Sequence, residues 1–377
     1  MNSYPIAGPC TDGTTPVRIL HFVTGGFSGA TQVAVDLSLA ALRTPGYEVL
    51  LVLRRKPSTD EAKIEALRQQ GLRVVVVSNW LHALTVWELR KILRGFKPDA
   101  MFAHGFSDHI WGRRAAAAEG VAHIFHVEHN SRERYTPRRL RQALALEPFT
   151  QAHVGVSEGV RTSLIERGFP AEKCIAICNG IDLTRFPQEA MPSLWQEREP
   201  AIYMASRFAR QKDHDTLIRA LGALRQRGLT PMLYLAGAGK RSLRARAERL
   251  VAELGLEQQV RFLGNVSDLP QRLARTQIFV LATHWEGMPL ALVEGMAAGC
   301  ACVVSDVIGA REVVTPEVDG LRVPESDPDS MADALQRLLQ NPALAQRLGS
   351  AARAQALGHY GREQMWGQYQ SLLTLRA

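Results

Sequence analysis

Short runs of Val, Ile, Leu and Ala recur along this chain, and the stretches between them carry apolar residues at helical spacing. The pattern predicts strands over 17–23, 48–53, 72–77, 100–103 and 122–127, with helices over 31–42, 59–70 and 84–95. The stretches 154–158 and 175–182 close this first series. A second series of strands is expected over 201–204, 232–236, 260–264, 277–282, 301–305 and 321–324. Its helices are expected over 215–227, 243–254, 290–298, 328–339 and 342–357. A last run over 361–373 carries Met365, Trp366, Tyr369, Leu372 and Leu373 at helical spacing. Strands alternating with helices at this spacing predict parallel sheets covered on both faces, with ligands bound outside the carboxyl ends of the strands.

A chain of 377 residues is expected to hold two such domains. The Gly/Pro/Thr-rich stretch 1–16 reads as a disordered leader rather than a signal peptide, since it has no basic segment followed by an apolar one. An N-terminal domain is set at 17–190 and a linker at 191–200, within the Pro/Glu-rich stretch 185–200 that has no apolar period. A C-terminal domain follows at 201–357, and a final helix at 358–377. Hydrophobic content of 46% and charged content of 22% fit a globular protein, and no apolar run reaches the length that spans a bilayer. The five cysteines form no disulfide framework. Cys174 with Cys178, and Cys300 with Cys302, lie at even spacings in strand-like runs and read as buried small hydrophobes. A cytoplasmic protein is expected.

The stretch THWEGMPLALVEGMAAG over 283–299 organises the chemistry. It follows a strand-like run and opens a helix, and Pro289 suits a first helical position. A strand, a tight turn and a helix N-terminus expose backbone N–H groups to an anion. Glu286 and Glu294 bracket that turn. Carboxylates repel phosphate, so each is expected to accept from neutral hydroxyls on either side of it, as the sugar, diphosphate and ribose of a nucleotide-sugar would require. Both are expected to face a solvent-filled cleft. An ordinary strand–helix junction with two unrelated glutamates is the alternative.

EGMPLALVE followed by GMAAGCACVVSD resembles the E-x7-E motif of the family 4 retaining glycosyltransferases. SRFARQKD over 206–213 resembles the same family's G-R-F-x-x-x-K-[DG], with Ser206 in place of Gly. VSE at 156–158 and NGID at 179–182 resemble signatures at the end of its first domain. The resemblance runs from about residue 17 to the end and is strongest in the second half. It implies the GT-B fold, two Rossmann-like α/β/α domains with a parallel sheet each and the donor site in the cleft between them, and a final helix crossing back toward the first domain. It also implies transfer of a sugar from a nucleoside diphosphate-sugar to a glycan or lipid-linked acceptor with retention, in cell-surface polysaccharide or lipopolysaccharide biosynthesis.

By that resemblance Arg207 and Lys212 hold the diphosphate and stabilise the charge that develops on it. Glu286 orients the donor sugar, the backbone of Gly287, Met288 and Leu290 holds phosphate, and Glu294 takes the ribose. Val266 faces the base. Gly25 and Gly26, in the glycine-rich turn TGGFSGA after the first strand, let donor phosphate or acceptor approach the backbone. His129 lies against sugar or acceptor, and His104 also follows a strand end. No cofactor is implied. The D-x-D triplets at 213–215 and 327–329 read as helix caps or loop residues, and no metal is required where Arg207, Lys212 and a helix N-terminus supply positive charge. His123, His126 and His129 also stop short of a metal site, because His126 points to the other face of its strand.

A net charge of +8 implies an anionic partner. No helix-turn-helix, zinc-finger or RNP-type pattern points to nucleic acid. Arg132, Arg134, Arg138, Arg139 and Arg141 cluster in a segment that reads as a basic amphipathic helix from Pro137 onward, fit for an anionic membrane surface, with peripheral attachment at the inner face of the cytoplasmic membrane. A solvated helix is its plain alternative. Two rival functions remain: a non-catalytic nucleotide-sugar or lipid-binding protein of the same fold, and another enzyme of that fold such as an epimerase or a phosphorylase.

Overall fold

The computed structural model describes residues 15–133, 135–190 and 195–374. Most of the expected leader, with Cys10, lies outside them, as does Arg134. Contacts divide the chain into two compact units. One comprises residues up to Gly180 together with the segment from Arg362, and the other is Ile181–Gly361.

The first unit begins β1 (Val17–Thr24), α1 (Gly29–Arg43), β2 (Tyr47–Arg54), α2 (Glu61–Gln69), β3 (Arg73–Val77), α3 (His82–Phe96) and β4 (Ala100–His104). It continues with α4 (Asp108–Ala118), β5 (His123–Glu128), α5 (Pro137–Leu144), β6 (Ala152–Gly155), α6 (Glu158–Glu166) and β7 (Cys174–Ala176). The second unit begins β8 (Glu199–Ala205), α7 (His214–Gln226), β9 (Leu233–Ala236), α8 (Arg241–Glu253), β10 (Val260–Gly264) and α9 (Leu269–Ala274). It continues with β11 (Thr276–Leu281), α10 (Leu290–Ala297), β12 (Ala301–Ser305), α11 (Ala310–Val313), β13 (Leu321–Val323), α12 (Pro328–Gln340) and α13 (Pro342–His359). The final helix, α14 (Arg362–Thr374), is part of the first unit.

Each unit holds one parallel sheet. The orders are β3-β2-β1-β4-β5-β6-β7 and β10-β9-β8-β11-β12-β13. In both, the order reverses beside the first strand, at β1/β4 and at β8/β11. Such switch points open a crevice at the carboxyl ends of the strands. The strands at and beside them are covered on both faces: every residue of β4, β11 and β12 is buried. Residues such as Ile278, Val280 and Val303 meet Leu217, Leu221 and Met331 from the covering helices in one core cluster. Burying side chains of this kind stabilises the sheet by about 1.5–3 kcal/mol each.

α14 docks within its unit by specific contacts. Trp366 Nε1 donates to Thr44 Oγ1 at 2.9 Å, and Tyr369 packs edge-on against Phe102.

The structure departs from the sequence expectations in several places, among them helices α6, α9 and α11, which no expected helix covers. Helix α4 was not expected, because its alanines leave few large apolar residues to mark a period, although alanine favours helix intrinsically. The expected linker over 191–200 overlaps β8, whose first residue Glu199 pairs with Thr276. Phe186, before that stretch, and Trp195, within it, are buried. Pro289 is the N-cap of α10 rather than its first helical residue, with φ −81° and ψ 105°. Cys178 is exposed, whereas Cys174, Cys300 and Cys302 are buried.

Candidate functional site

Two loops meet at the β8/β11 switch point. One follows β8 and carries Arg207, Gln211 and Lys212. The other follows β11 and carries Thr283, Glu286 and Gly287. Lys212 pairs with Thr283 as an isolated antiparallel bridge, Asp213 N donates to Ala282 O at 3.0 Å, and His284 N donates to Gln211 O at 2.8 Å. This backbone seam places the Lys212 ammonium on Oε1 of Glu286. Thr283 Oγ1 donates to the same oxygen at 2.7 Å, and Gln211 Nε2 donates to Oε2 at 3.0 Å and to Trp285 O at 2.6 Å.

Glu286 therefore does not lie open to solvent with only neutral hydroxyls around it. Its side chain is 7% exposed and that of Lys212 is 12%. An ammonium has three donors, so a lysine paired in this way keeps donors for a second anion. Beside Lys212 lies a cavity of about 550 Å³, lined also by Arg210, Arg219 and His284.

The N-terminus of α10 carries no side-chain cap. Leu292 N and Val293 N donate to Pro289 O at 3.1 and 3.3 Å. Gly287 and Met288 are buried and Leu290 is half-buried. The loop after β12 closes on this turn. Gly309, at φ +85°, approaches so nearly that a Cβ there would sit 2.2 Å from Gly287 O. Gly237, at φ +132°, makes the equivalent approach to the other loop, where a Cβ would sit 2.1 Å from Ser206 O. Only glycine tolerates both the left-handed backbone and the contact.

Arg207 follows Ser206 and is exposed. Val266 is half-buried just past β10, beside Asn265, whose Oδ1 accepts from Ala238 N at 3.0 Å. Both residues stand on the same sheet edge as the Lys212–Glu286 pair without a hydrogen bond to it among the described residues. Glu294 lies in the second turn of α10 and accepts from Arg185 Nη1 at 2.9 Å. Burial pushes its carboxyl above the usual carboxylate range, and Arg185 opposes that shift. The D-x-D carboxylates are committed locally. Asp213 caps α7 through Thr216 N, Asp215 pairs with Arg246 at 2.6 Å, and Asp327 caps α12.

In the first unit Gly25 N donates to Arg54 O at 2.7 Å, which turns the chain after β1, and Gly26 follows half-buried. His104 ends β4 and is fully buried, inside the strand rather than past it. It links His21, whose Nδ1 is 3.0 Å from His104 Nε2, to His129, whose Nε2 is 3.1 Å from His104 Nδ1. Burial pushes His21 and His129 down to about 3. His129 thus stays neutral near pH 7 and can hydrogen-bond a hydroxyl, but it does not accumulate as a cation. His123 contacts Gln151 and His126 contacts His153, so the three histidines of β5 and its end have separate partners.

Helix α5 lies within the basic segment. Leu140 and Leu144 pack onto the core of the first unit, so its apolar face is already occupied. Arg132, Arg138 and Arg141 are exposed, and Arg139 sits over the Trp111 ring at 4.9 Å.

Gln211, Thr283 and Arg185 were not singled out from the sequence. The first two lie inside the quoted motifs as ordinary polar residues, and Arg185 lies in the stretch taken for a linker. Nothing local marks any of them.

Residues 186–355 match the family described as Glycosyl transferases group 1, and residues 27–185 match Glycosyltransferase Family 4. EpsF of Bacillus subtilis is 30% identical over 313 residues, covering 77% of this chain and 79% of that one. A lipopolysaccharide core biosynthesis glycosyltransferase of Rhizobium meliloti, LpsD, is 26% identical over 338 residues, covering 89% of this chain and 91% of the other. An Escherichia coli UDP-Gal:alpha-D-GlcNAc-diphosphoundecaprenol alpha-1,3-galactosyltransferase is 26% identical over 272 residues, 68% of this chain and 70% of that one. Among solved structures, Anabaena HepE in complex with UDP and glucose superposes with a TM-score of 0.82 at 21% identity, covering 95% of this chain and 99% of that one. The two parallel-sheet units have the GT-B architecture, and the chain belongs to the group 1 glycosyltransferases.

Proposed function

We propose that this chain transfers a sugar from a nucleoside diphosphate-sugar to a glycan or lipid-linked acceptor, with retention and without a metal ion, in the building of a cell-surface polysaccharide or lipopolysaccharide. The observation that carries this reading is the β8/β11 junction. There Lys212, the uncapped start of α10 and Arg207 bring positive charge to one sheet edge, and Glu286 supplies a fixed acceptor beside them. A departing diphosphate gains negative charge as the anomeric C–O bond breaks, so preorganised donors aimed at it favour the transition state over the ground state. The acceptor hydroxyl then forms the new bond on the same face and passes its proton to the leaving phosphate oxygen. Glu294 takes the ribose and Val266 the base. In the first unit, Gly25, Gly26 and His129 stand at the ends of β1 and β5, where an acceptor hydroxyl could be oriented by a neutral imidazole.

The names of the relatives support this acceptor class. One acts on a diphosphoundecaprenol-linked sugar and another in lipopolysaccharide core biosynthesis. No described helix is long and apolar enough to cross a membrane. We place the enzyme peripherally on the cytoplasmic face, with the exposed arginines of the 132–141 segment toward anionic lipid.

The test is turnover with a panel of uridine and guanosine diphosphate-sugars and a polyprenyl diphosphate-linked sugar, with the product's anomeric configuration read by proton NMR. Product with the donor's configuration, formed equally in EDTA, is the expected result. An inverted product, or activity lost in EDTA and restored by manganese, overturns the corresponding part of the reading.

A further inference from the structure

The largest apolar side chains left in water lie around the start of α3. Trp80 is 84% exposed, Leu81 56% and Trp87 57%. Trp80 and Leu81 form the turn between β3 and α3, and Trp87 lies on the second turn of α3, so all three stand within two helical turns of one helix start. Isolated exposed hydrophobes need no explanation, but two tryptophans and a leucine exposed around one helix start concentrate apolar surface of the kind that marks a contact surface.

What surrounds the patch chooses its partner. His82, next to Leu81, stacks on Trp111 at 4.4 Å, and Arg139 lies over the same ring. Arg139 Nη2 is also 3.4 Å from His82 Nε2. This contact sets the exposed turn against α5, whose Arg138 and Arg141 point into solvent. On α3 itself, Lys91 is exposed one turn beyond Trp87, while Glu88, the nearest acidic residue, is held by Ser78 N at 2.5 Å. Tryptophan beside arginine and lysine is the composition of a bilayer interface, where the indole body enters the acyl boundary and the cations meet lipid phosphate. The leucines of α5 cannot enter a bilayer, because they pack on the core.

We propose that Trp80, Leu81 and Trp87 insert into an anionic lipid surface, with Arg138, Arg139, Arg141 and Lys91 on its headgroups. The β3–α3 turn belongs to the carboxyl edge of the first sheet, the edge that also carries Gly25 and His129. Membrane insertion there brings that edge to a lipid-linked acceptor. This consequence rests on the reading of function above; the insertion itself does not.

The test uses the full chain and vesicles of phosphatidylcholine alone or mixed with phosphatidylglycerol. The wild type is expected to float with the mixed vesicles, less so as salt rises, and to lose tryptophan fluorescence to brominated lipid. The W80A/W87A double variant should keep the wild-type melting temperature, since both side chains are exposed. It should bind mixed vesicles about tenfold more weakly or worse and lose the quenching. Turnover of a short water-soluble acceptor should be unchanged, while turnover of a lipid-linked acceptor in vesicles falls. Equal vesicle binding by wild type and variant overturns the proposal, as does lipid-free self-association of the wild type that the double variant abolishes. A chain that binds vesicles as expected yet turns over no acceptor leaves the insertion standing and removes the catalytic reading.

Discussion

Lys212 and Glu286 form an ion pair that joins two loops 74 positions apart in the chain. Thr283 shares the same carboxylate oxygen and Gln211 holds the other, so the pair is one rigid element. Glu286→Gln should lower kcat more than it raises the donor KM, because it disturbs the lysine that meets charge developing in the transition state. It should also cost about 1.5–3 kcal/mol of stability, the range for hydrogen bonds to charged groups. The stability cost follows from the observed burial and was not expected of a glutamate facing solvent. Thermal melts and donor kinetics of E286Q, K212M and the double variant check both effects. Additive losses in stability would show that the two side chains do not act as a unit.

Arg207 should behave differently from that pair. It is exposed and makes no ion pair among the described residues, so Arg207→Ala should leave the melting temperature within a degree or so. If Arg207 holds the donor diphosphate as proposed, kcat/KM of the variant should fall by about 10²–10³-fold. Near wild-type turnover in R207A would place the leaving group elsewhere.

Glu294 is held by Arg185 and raised by burial. A ribose contact is close to uniform binding, so Glu294→Gln should mainly raise the donor KM. Arg185 pulls the carboxyl pKa down, so Arg185→Ala lets it rise further. The donor KM of R185A should then begin to climb at a higher pH than that of the wild type as the solution is acidified. Identical pH profiles for donor KM would separate Glu294 from the donor.

Glu128 gives a pH dependence of stability with a definite sign. It is buried, with His129 N at 2.9 Å, Tyr135 Oη at 3.1 Å and His126 Nε2 at 3.7 Å. Burial, and then the nearby Glu133, push it from 4.5 to about 8. Between those values the folded state holds a proton that the unfolded state has lost. Its contribution is therefore full below about 4.5 and disappears as pH rises through 8. His21 and His129, pushed down to about 3, act in the opposite sense, and their contribution is lost as pH falls from 6.5 toward 3. Glu128→Gln should remove the alkaline decline and leave the acid decline. Melting curves from pH 4 to 9 check this, and a wild-type alkaline decline that persists in E128Q assigns it to another group.

Much of this architecture is legible in the sequence, because strand and helix preference depends on near neighbours. Continuous apolar runs between amphipathic ones are enough to specify two parallel α/β series. THWEGMPLALVEGMAAG and the apolar run before it write a strand, a turn and a helix, and the acidic residues Asp213 and Asp327 announce the helices that they cap. Helix α4 marks a limit of that reading: its alanines favour helix but leave no clear period to detect.

The partners of the site residues are not written locally. Lys212 meets Glu286 because β8 and β11 become neighbours where the strand order reverses, and a one-dimensional pattern carries no strand order. Arg185 reaches Glu294, and His21 reaches His129 through His104, only after sheets and helices have packed. Burial is decided at the same stage. Glu286 and Glu294 look equivalent as letters, yet one is locked to a lysine and the other is held by an arginine from a stretch that reads as a linker. Trp80 and Trp87 are left in water, because α3 turns Thr85, Leu89 and Leu93 inward. Local chemistry determined which elements form and where a phosphate-sized anion could sit; long-range packing decided which charges meet, which are desolvated and which apolar groups stay exposed.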